Sequence, residues 1–400
     1  MQQSNLSFYH LGIAPKLLDV LQHMKFVSPT PIQHKAIPVG LDGKDIVAIA
    51  QTGTGKTLAF GIPIVQRLSL ASGRALVLAP TRELALQVHE VLGQILHPFA
   101  LRSAVLIGGA PMFGQLQALR KNPRVLIATP GRLIDHMQQK TVNLRDVNIL
   151  VLDEADRMFD MGFAPQVERV IQGISRERQT MLFSASIPAN VVSLAARHMK
   201  LPIHVEIAPS GTAAEGVTQE LFIVKEESKK SLLHLLLAQY RGSILLFART
   251  RIKAARINRM LRDMGHNAVE IHSDRSMAQR TQAIEGFKSG RYRVLVATDI
   301  AARGIDVSNI ELVINYDLPE DVENYVHRIG RTGRAGQVGH AISFATPDQG
   351  NEVRSIERLT RTALPIAKHP EVPGSEFDRP VQVYSSSRHS RRGRFHRRRR

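Results

Sequence analysis

The chain has no cysteine, which excludes disulfide staples, thiolate metal sites and cysteine nucleophiles and fits a reducing compartment. It has no apolar run near the ~20 residues that cross a bilayer as a helix. The opening MQQSNLSFYH lacks a basic patch followed by an apolar core, so it does not read as a secretory signal. A cytoplasmic protein is the expectation. Acids are missing from the far end, where residues 388–400 hold eight arginines and no Asp or Glu. The formal net charge is +18, and the body stays basic without that end. A polyanion, most often nucleic acid, is the simplest partner for such a chain. For the tail alone, a disordered solubilising end is an equal alternative.

What is present is organised around DIVAIAQTGTGKT, Asp45 to Thr57. Asp45–Ala50 is a short Val/Ile-rich run and predicts a buried strand. The run breaks into a Gly/Thr turn and then into a helical pattern over Leu58–Leu70. Strand, glycine-rich turn and helix start form a phosphate cradle, with backbone N–H groups and the helix dipole aimed at one spot. Gly53 and Gly55 let the chain approach phosphate closely. Lys56 would reach the β- and γ-phosphates and the Thr57 hydroxyl would hold Mg²⁺. Gln51, Thr52 and Thr54 complete the loop, and Ala50 stands where the P-loop pattern has its first glycine. The motif by itself names a nucleotide, not a reaction.

Upstream, Phe8–Met24 has helical apolar spacing. In Phe26-Val27-Ser28-Pro29-Thr30-Pro31-Ile32-Gln33 the two prolines predict an extended turn that puts Gln33 on a stiff loop. Downstream, strand patterns at 75–79, 104–107, 125–128, 149–152 and 181–183 alternate with helical ones at 82–96, 112–119, 130–137 and 189–199. Continuous apolar strands between helices indicate a parallel sheet covered on both faces, with ligands at the strands' carboxyl ends. Asp153-Glu154-Ala155-Asp156 follows one such strand. A carboxylate there is placed to hold Mg²⁺, directly or through water, and its neighbour to position or deprotonate an attacking water.

Residues 208–217 are small, Pro/Gly-bearing and unpatterned, which predicts a linker. The alternation restarts, with strands at 221–224, 244–247, 294–297, 312–315 and 341–345 and helices at 229–239, 253–264, 277–287 and 323–329. The expected division is a first α/β domain over 1–207, a second over 218–370 and a disordered arginine-rich tail over 371–400. The second domain has no P-loop, so it must contribute something else. Arg328, Arg331 and Arg334, spaced by glycines near a helix end, suit phosphate binding.

Together these stretches resemble the DEAD-box ATP-dependent RNA helicases over roughly Phe8 to Ala345. Phe26–Gln33 is similar to that family's adenine-reading Q motif, with Phe8 as the upstream aromatic. Ala50–Thr57 resembles motif I and Asp153–Asp156 motif II. Thr81, Arg82, Gly108, Gly109, Thr129 and Arg132 fall in motifs that the resemblance places on RNA. Arg280 and Thr298 do so in the second domain. Ser184-Ala185-Ser186 matches the motif that couples hydrolysis to unwinding, with Asp156 and His327 in the same role. By the same resemblance Asp306 contacts the ribose side of ATP, and Arg331 and Arg334 the γ-phosphate. Asp153–Met158 and the basic tail look most like the bacterial RhlE-type branch.

Four positions depart from the pattern. Ser186 replaces Thr and keeps the hydroxyl, so its hydrogen bond should survive. Lys25 replaces the glycine before Phe26 and is expected to matter little. Ser273 replaces Gly, and Met277 replaces the Gln of Gln-x-x-Arg, which puts one polar contact of the second domain in doubt.

The resemblance implies two tandem RecA-like domains facing across a cleft. ATP and Mg²⁺ sit on the first, arginines come from the second, and RNA lies across both without much sequence preference. The expected activity is RNA-dependent ATP hydrolysis that opens short duplexes. An ATP-gated RNA clamp that unwinds nothing, and a DNA helicase, stay open as alternatives.

Overall fold

The computed structural model describes residues 7–50, 53–207, 217–302, 307, 310–333 and 339–378, with the backbone alone for Met277, Ile300 and Ala302. The expectations for Gln51, Thr52, Asp306, Arg334, most of the linker and residues 379–400 lie outside the described residues, as does that for the Met277 side chain.

Seven strands form the first sheet: β1 (Ile46–Ile49), β2 (Arg74–Leu78), β3 (Ser103–Leu106), β4 (Val125–Ala128), β5 (Val147–Leu152), β6 (Gln179–Ser184) and β7 (Ile203–Glu206). They lie in the order β3-β4-β2-β5-β6-β1-β7, and every pairing is parallel. The second sheet holds β8 (Val217–Ile223), β9 (Ile244–Phe247), β10 (Ala268–Ile271), β11 (Val294–Ala297), β12 (Leu312–Asn315), β13 (Gly339–Ala345) and β14 (Ile366–Ala367). Its order is β10-β11-β9-β12-β13-β8-β14, again all parallel. Each sheet has an apolar cluster on both faces. This is the expected two-domain α/β architecture.

The order sorts the expected motifs. Three adjacent strands, β3, β4 and β2, lead from their carboxyl ends to Gly108-Gly109, Thr129 and Thr81. The next three, β5, β6 and β1, lead to Asp153, Ser184 and the glycine loop. One sheet edge therefore carries two functional halves side by side.

Sequence patterning misses β7 and β10 for one reason. Both pair with a single neighbouring strand, and a polar residue interrupts each: exposed His204 and Glu206 in β7, and buried Glu270 in β10, so neither is a continuous apolar run. The extended turn expected over Phe26–Gln33 ends at Thr30, and Pro31 opens a helix, Pro31–Leu41, so Gln33 stands in its first turn rather than on a loop. Pro31 takes the first helical position, where its missing N–H costs nothing. Short helices at Ala155–Asp160 and Ala164–Gln172, and a longer one at Gly350–Thr360, are further elements that the patterning misses.

The second domain does not end at 370. Ile366–Ala367 pairs with β8 and Val372 is buried. Ser375 N donates to Ile223 O at 2.8 Å, and Asp378 N to Pro347 O at 2.9 Å. Composition marks this stretch as tail because its prolines break periodicity, yet tertiary hydrogen bonds hold it.

Lys25 needs a correction. Helix Pro15–His23 closes with Phe26 N donating to Leu21 O and Lys25 N to Gln22 O, a closure that requires a left-handed residue at position 25. Lys25 sits there at φ +63°, which costs an L side chain about 1 kcal/mol. Lys25→Gly is expected to raise stability by about 1 kcal/mol, read as a higher urea midpoint at unchanged m-value. A midpoint that falls or stays put contradicts this account.

Candidate functional site

Gly53 and Gly55 both adopt positive φ, 86° and 90°, and Gly55 opens helix Lys56–Leu70. A Cβ on Gly55 would lie 2.4 Å from Gln33 Nε2. Gln33 Nε2 donates to Gly55 O at 3.0 Å, and Gln33 Oε1 accepts from Thr30 N at 3.0 Å. The buried Gln33 amide thus ties the start of its own helix to the glycine loop. One N–H and one lone-pair site remain for a ligand. Lys56 is buried, with Nζ donating to Ala50 O at 3.1 Å. Thr57 lies in the first turn of the same helix. Phe26 is 39% exposed, while Phe8 is 2% exposed inside the first core cluster. Phe8 therefore buttresses this region rather than presenting its ring.

Asp153, Glu154 and Asp156 are all buried at the end of β5. Glu154 stands at φ +51°, a strained backbone of the kind that clusters at functional sites. Its Oε2 accepts from Arg157 Nη1 at 2.6 Å. Burial alone would raise the Glu154 carboxyl. The Arg157 guanidinium, Lys56, the Arg157 hydrogen bond and Arg331 of the second domain outweigh burial and hold it at about 2. Asp153 is pushed the other way. Burial, helped by the Glu154 and Asp156 charges, lifts it to about 7 against Lys56 and the Glu154 N–H. Two adjacent carboxyl groups are thereby split, one fully ionised and one ready to take up or lose a proton near neutrality.

That split has a pH signature. Asp153 binds its proton more tightly folded than unfolded. Between pH about 4 and about 7 the folded chain keeps a proton that the unfolded chain has released, so stability falls as pH rises through that window. Asp153→Asn is expected to melt higher than wild type at pH 8 without nucleotide or metal, and the gap to narrow at pH 5. Calorimetry at the two pH values checks it, and a constant gap would count against the buried charge as cause.

Asp156 joins the motifs expected to couple. Its Oδ2 accepts from Ala185 N at 3.1 Å, Ser186 N at 2.9 Å and Ser186 Oγ at 3.1 Å. Its own N–H donates to Ser184 Oγ at 3.0 Å. The hydrogen bond expected to survive the Thr-to-Ser change is present. Ser186 Oγ also lies 3.1 Å from Glu323 Oε2 in the second domain, a partner that sequence reasoning misses because no motif marks it.

On the other half of the sheet edge, Thr81 caps helix Arg82–Leu96 by accepting from Leu84 N at 3.3 Å. Arg82 lies over the glycine pair. Gly109 has φ +76°, and a Cβ there would fall 2.1 Å from Arg82 Nη1, so the pair makes room for that guanidinium. Thr129 heads helix Pro130–Gln138, and Arg132 Nη1 donates to Ala110 O at 3.0 Å. Arg280, expected on RNA, instead pairs across the cleft with buried Glu83, Nη2 to Oε2 at 3.0 Å.

In the second domain Thr298 follows β11, its N–H donating to Ile271 O at 3.3 Å. Arg331 is 4% exposed and its Nε donates to His327 O at 3.2 Å, which places His327 on the turn just before it. Arg328 has a different part. It is 1% exposed, pairs with both Asp299 oxygens and donates to Asn315 Oδ1 and Asp317 O. This side chain is scaffold and does not face a phosphate.

The missing second P-loop also has a structural counterpart. β8 holds the sixth place in its sheet, as β1 does in the first, and the helix after it begins with Lys229. Lys229 Nζ pairs with Glu226 at 2.8 Å and with Asp317 at 3.3 Å. The place of the phosphate cradle is filled by the protein's own ion pairs.

The DEAD/DEAH box helicase family model matches residues 30–194, and the helicase conserved C-terminal domain model matches residues 227–336. The chain is 41% identical to the DEAD-box ATP-dependent RNA helicase CshA of Bacillus subtilis, over 91% of this chain and 74% of that protein. It is 41% identical to the ATP-dependent rRNA helicase RRP3 of Debaryomyces hansenii, over 90% and 76%. Among solved structures, S. cerevisiae Dbp5 bound to RNA and ADP BeF3 superposes with a TM-score of 0.82 at 33% identity, covering 90% of this chain and 95% of that one.

Proposed function

Since the chain belongs to the DEAD-box family of ATP-dependent RNA helicases, we propose the following division of labour for its residues. ATP lies on the first domain. Phe26 and the remaining hydrogen-bonding capacity of Gln33 receive adenine, and Gly53–Thr57 receive the phosphates, with Lys56 on the outer two. Thr57 and Asp153 hold Mg²⁺, partly through water. The fit rests on Asp153, a buried carboxylate that its surroundings disfavour as a charge, and on the hard oxygen donors present. When bound, the ion would draw charge from the phosphate oxygens. Glu154 orients the attacking water. Arg331 reaches the same place from the second domain, as its influence on Glu154 supports, and Arg334 is assigned beside it.

RNA runs along the half of the first sheet edge formed by Arg82, the glycine pair, Thr129 and Arg132, and continues to Thr298. Gly109 and Arg82 hold each other in place, so this face is pre-formed. Arg280 acts as a latch between domains through Glu83. The observation that carries the whole reading is Ser186 Oγ, 3.1 Å from both Asp156 and Glu323. One hydroxyl joins the carboxylate cluster of the first domain to a helix of the second. A change at the phosphate can thereby alter the fit of the two domains, which is the differential contact that nucleotide-driven closure needs. Closure across RNA strains a short duplex, and reopening releases it.

The RhlE-type branch rests on Asp153–Met158 and the basic tail alone, and a cytoplasmic location rests on the absence of cysteine. ATPase rate with and without single-stranded RNA tests the function, with stimulation expected and an RNA-independent rate opposing it. Strand displacement under turnover separates a helicase from an RNA clamp.

A further inference from the structure

Phe113 is 68% exposed at the start of helix Met112–Arg120, four residues past the glycine pair. The helix is fixed from below. Gln115 is buried, its Oε1 accepting from Ile107 N at 3.2 Å and its Nε2 donating to Ile107 O at 3.1 Å. A Cβ on the adjoining Gly114 meets nothing within 4 Å, so that position on the helix is open. Along the same helix runs a cavity of about 640 Å³, lined by Gly114, Gln117 and Lys121 on one side and by His97 and Arg102 on the other, with no acid in its lining. From Phe113 to Lys121 the helix rises about 12 Å.

An exposed aromatic one residue from the rim of a basic, acid-free groove is the combination that holds single strands without sequence preference. The ring stacks on a base while the cations track phosphates. We propose that the outer edge of the first domain is an auxiliary track for single-stranded RNA: an unpaired base stacks on Phe113, and the backbone continues past Arg102 and Lys121. The proposal rests on the reading of the neighbouring glycine pair and Arg82 as RNA contacts. The track lengthens the bound strand beyond the segment gripped between the domains. It should therefore matter for long RNA and not for short.

The test measures affinity of the full chain, with a non-hydrolysable ATP analogue and Mg²⁺, for RNAs of about 6 and about 16 nucleotides. Phe113→Ala should weaken the long RNA about tenfold at unchanged salt dependence, because stacking releases no counterions. Phe113→Trp should retain it. The pair Arg102→Glu and Lys121→Glu should flatten the salt slope for the long RNA by about 1.4, at about 0.7 per phosphate contact. All variants should bind the short RNA, and hydrolyse ATP at saturating short RNA, as wild type does. Equal binding of the long RNA by every variant overturns the track, and so does an equal loss on both lengths. Wild type binding neither RNA would refute the parent reading itself.

Discussion

Glu154→Gln is expected to bind ATP and RNA while hydrolysing ATP about 10²–10⁴-fold more slowly. The argument begins with the carboxylate's charge. Arg157, Lys56 and Arg331 keep Glu154 ionised far below neutrality, so at any working pH it would present a negative oxygen to the water the proposed role has it orient. A group held that low is a weak proton acceptor in the ground state. In the proposed role its value would lie in fixing the water's direction and in stabilising the proton as it leaves. Glutamine has the same shape, so the φ +51° backbone and the neighbouring Asp153 stay in place. It places a neutral amide against Arg157 and loses the anion. Binding should survive because Lys56 and the glycine loop are untouched, and the unhydrolysed complex should stay closed on RNA. Single-turnover hydrolysis and RNA dissociation rates check both halves. Normal turnover in this variant would remove Glu154 from the chemistry.

The second large effect is expected of Arg331→Ala: turnover about 10³-fold lower, at little change in ATP affinity. Arg331 reaches the first domain's carboxylates from the second, so it contributes only when the two domains meet. In the proposed role, a positive charge supplied at that moment would neutralise the transferring phosphoryl group more than bound ATP, and so act mainly on kcat. Arg334→Ala should behave similarly, whereas Arg328→Ala should lower stability, since Arg328 is buried against Asp299 and Asn315. The discriminating measurement is ATP affinity beside kcat. A variant that loses ATP binding as strongly as turnover would place Arg331 in ordinary substrate binding.

The opposite displacements of Asp153 and Glu154 show what adjacency in sequence does not convey. Both are acids on one turn. Lys56 lowers both, so their difference comes from Arg157, three residues on from Glu154, and from Arg331 in another domain, both of which act on Glu154. No pattern within the four-residue string contains that information.

The sequence by itself determined the parts that depend on local order. Apolar runs alternating with 3.6-residue periodicity specify parallel sheets covered by helices, and elements such as 82–96, 229–239, 244–247 and 323–329 coincide with their observed spans. The glycine loop, the acids after a buried strand and the arginines after a helix are chemically recognisable because their spacing is itself the mechanism. Where a partner comes from far along the chain, tertiary structure decided. It turned Gln33 from a loop residue into a helix-start clamp on Gly55, and it buried Phe8 in the core. It gave Arg280 to Glu83, sealed Arg328 behind Asp299, and carried the second domain on to Asp378. In each case the deciding energy is a hydrogen bond, an ion pair or a packing contact between residues remote in sequence, and periodicity carries no record of such contacts.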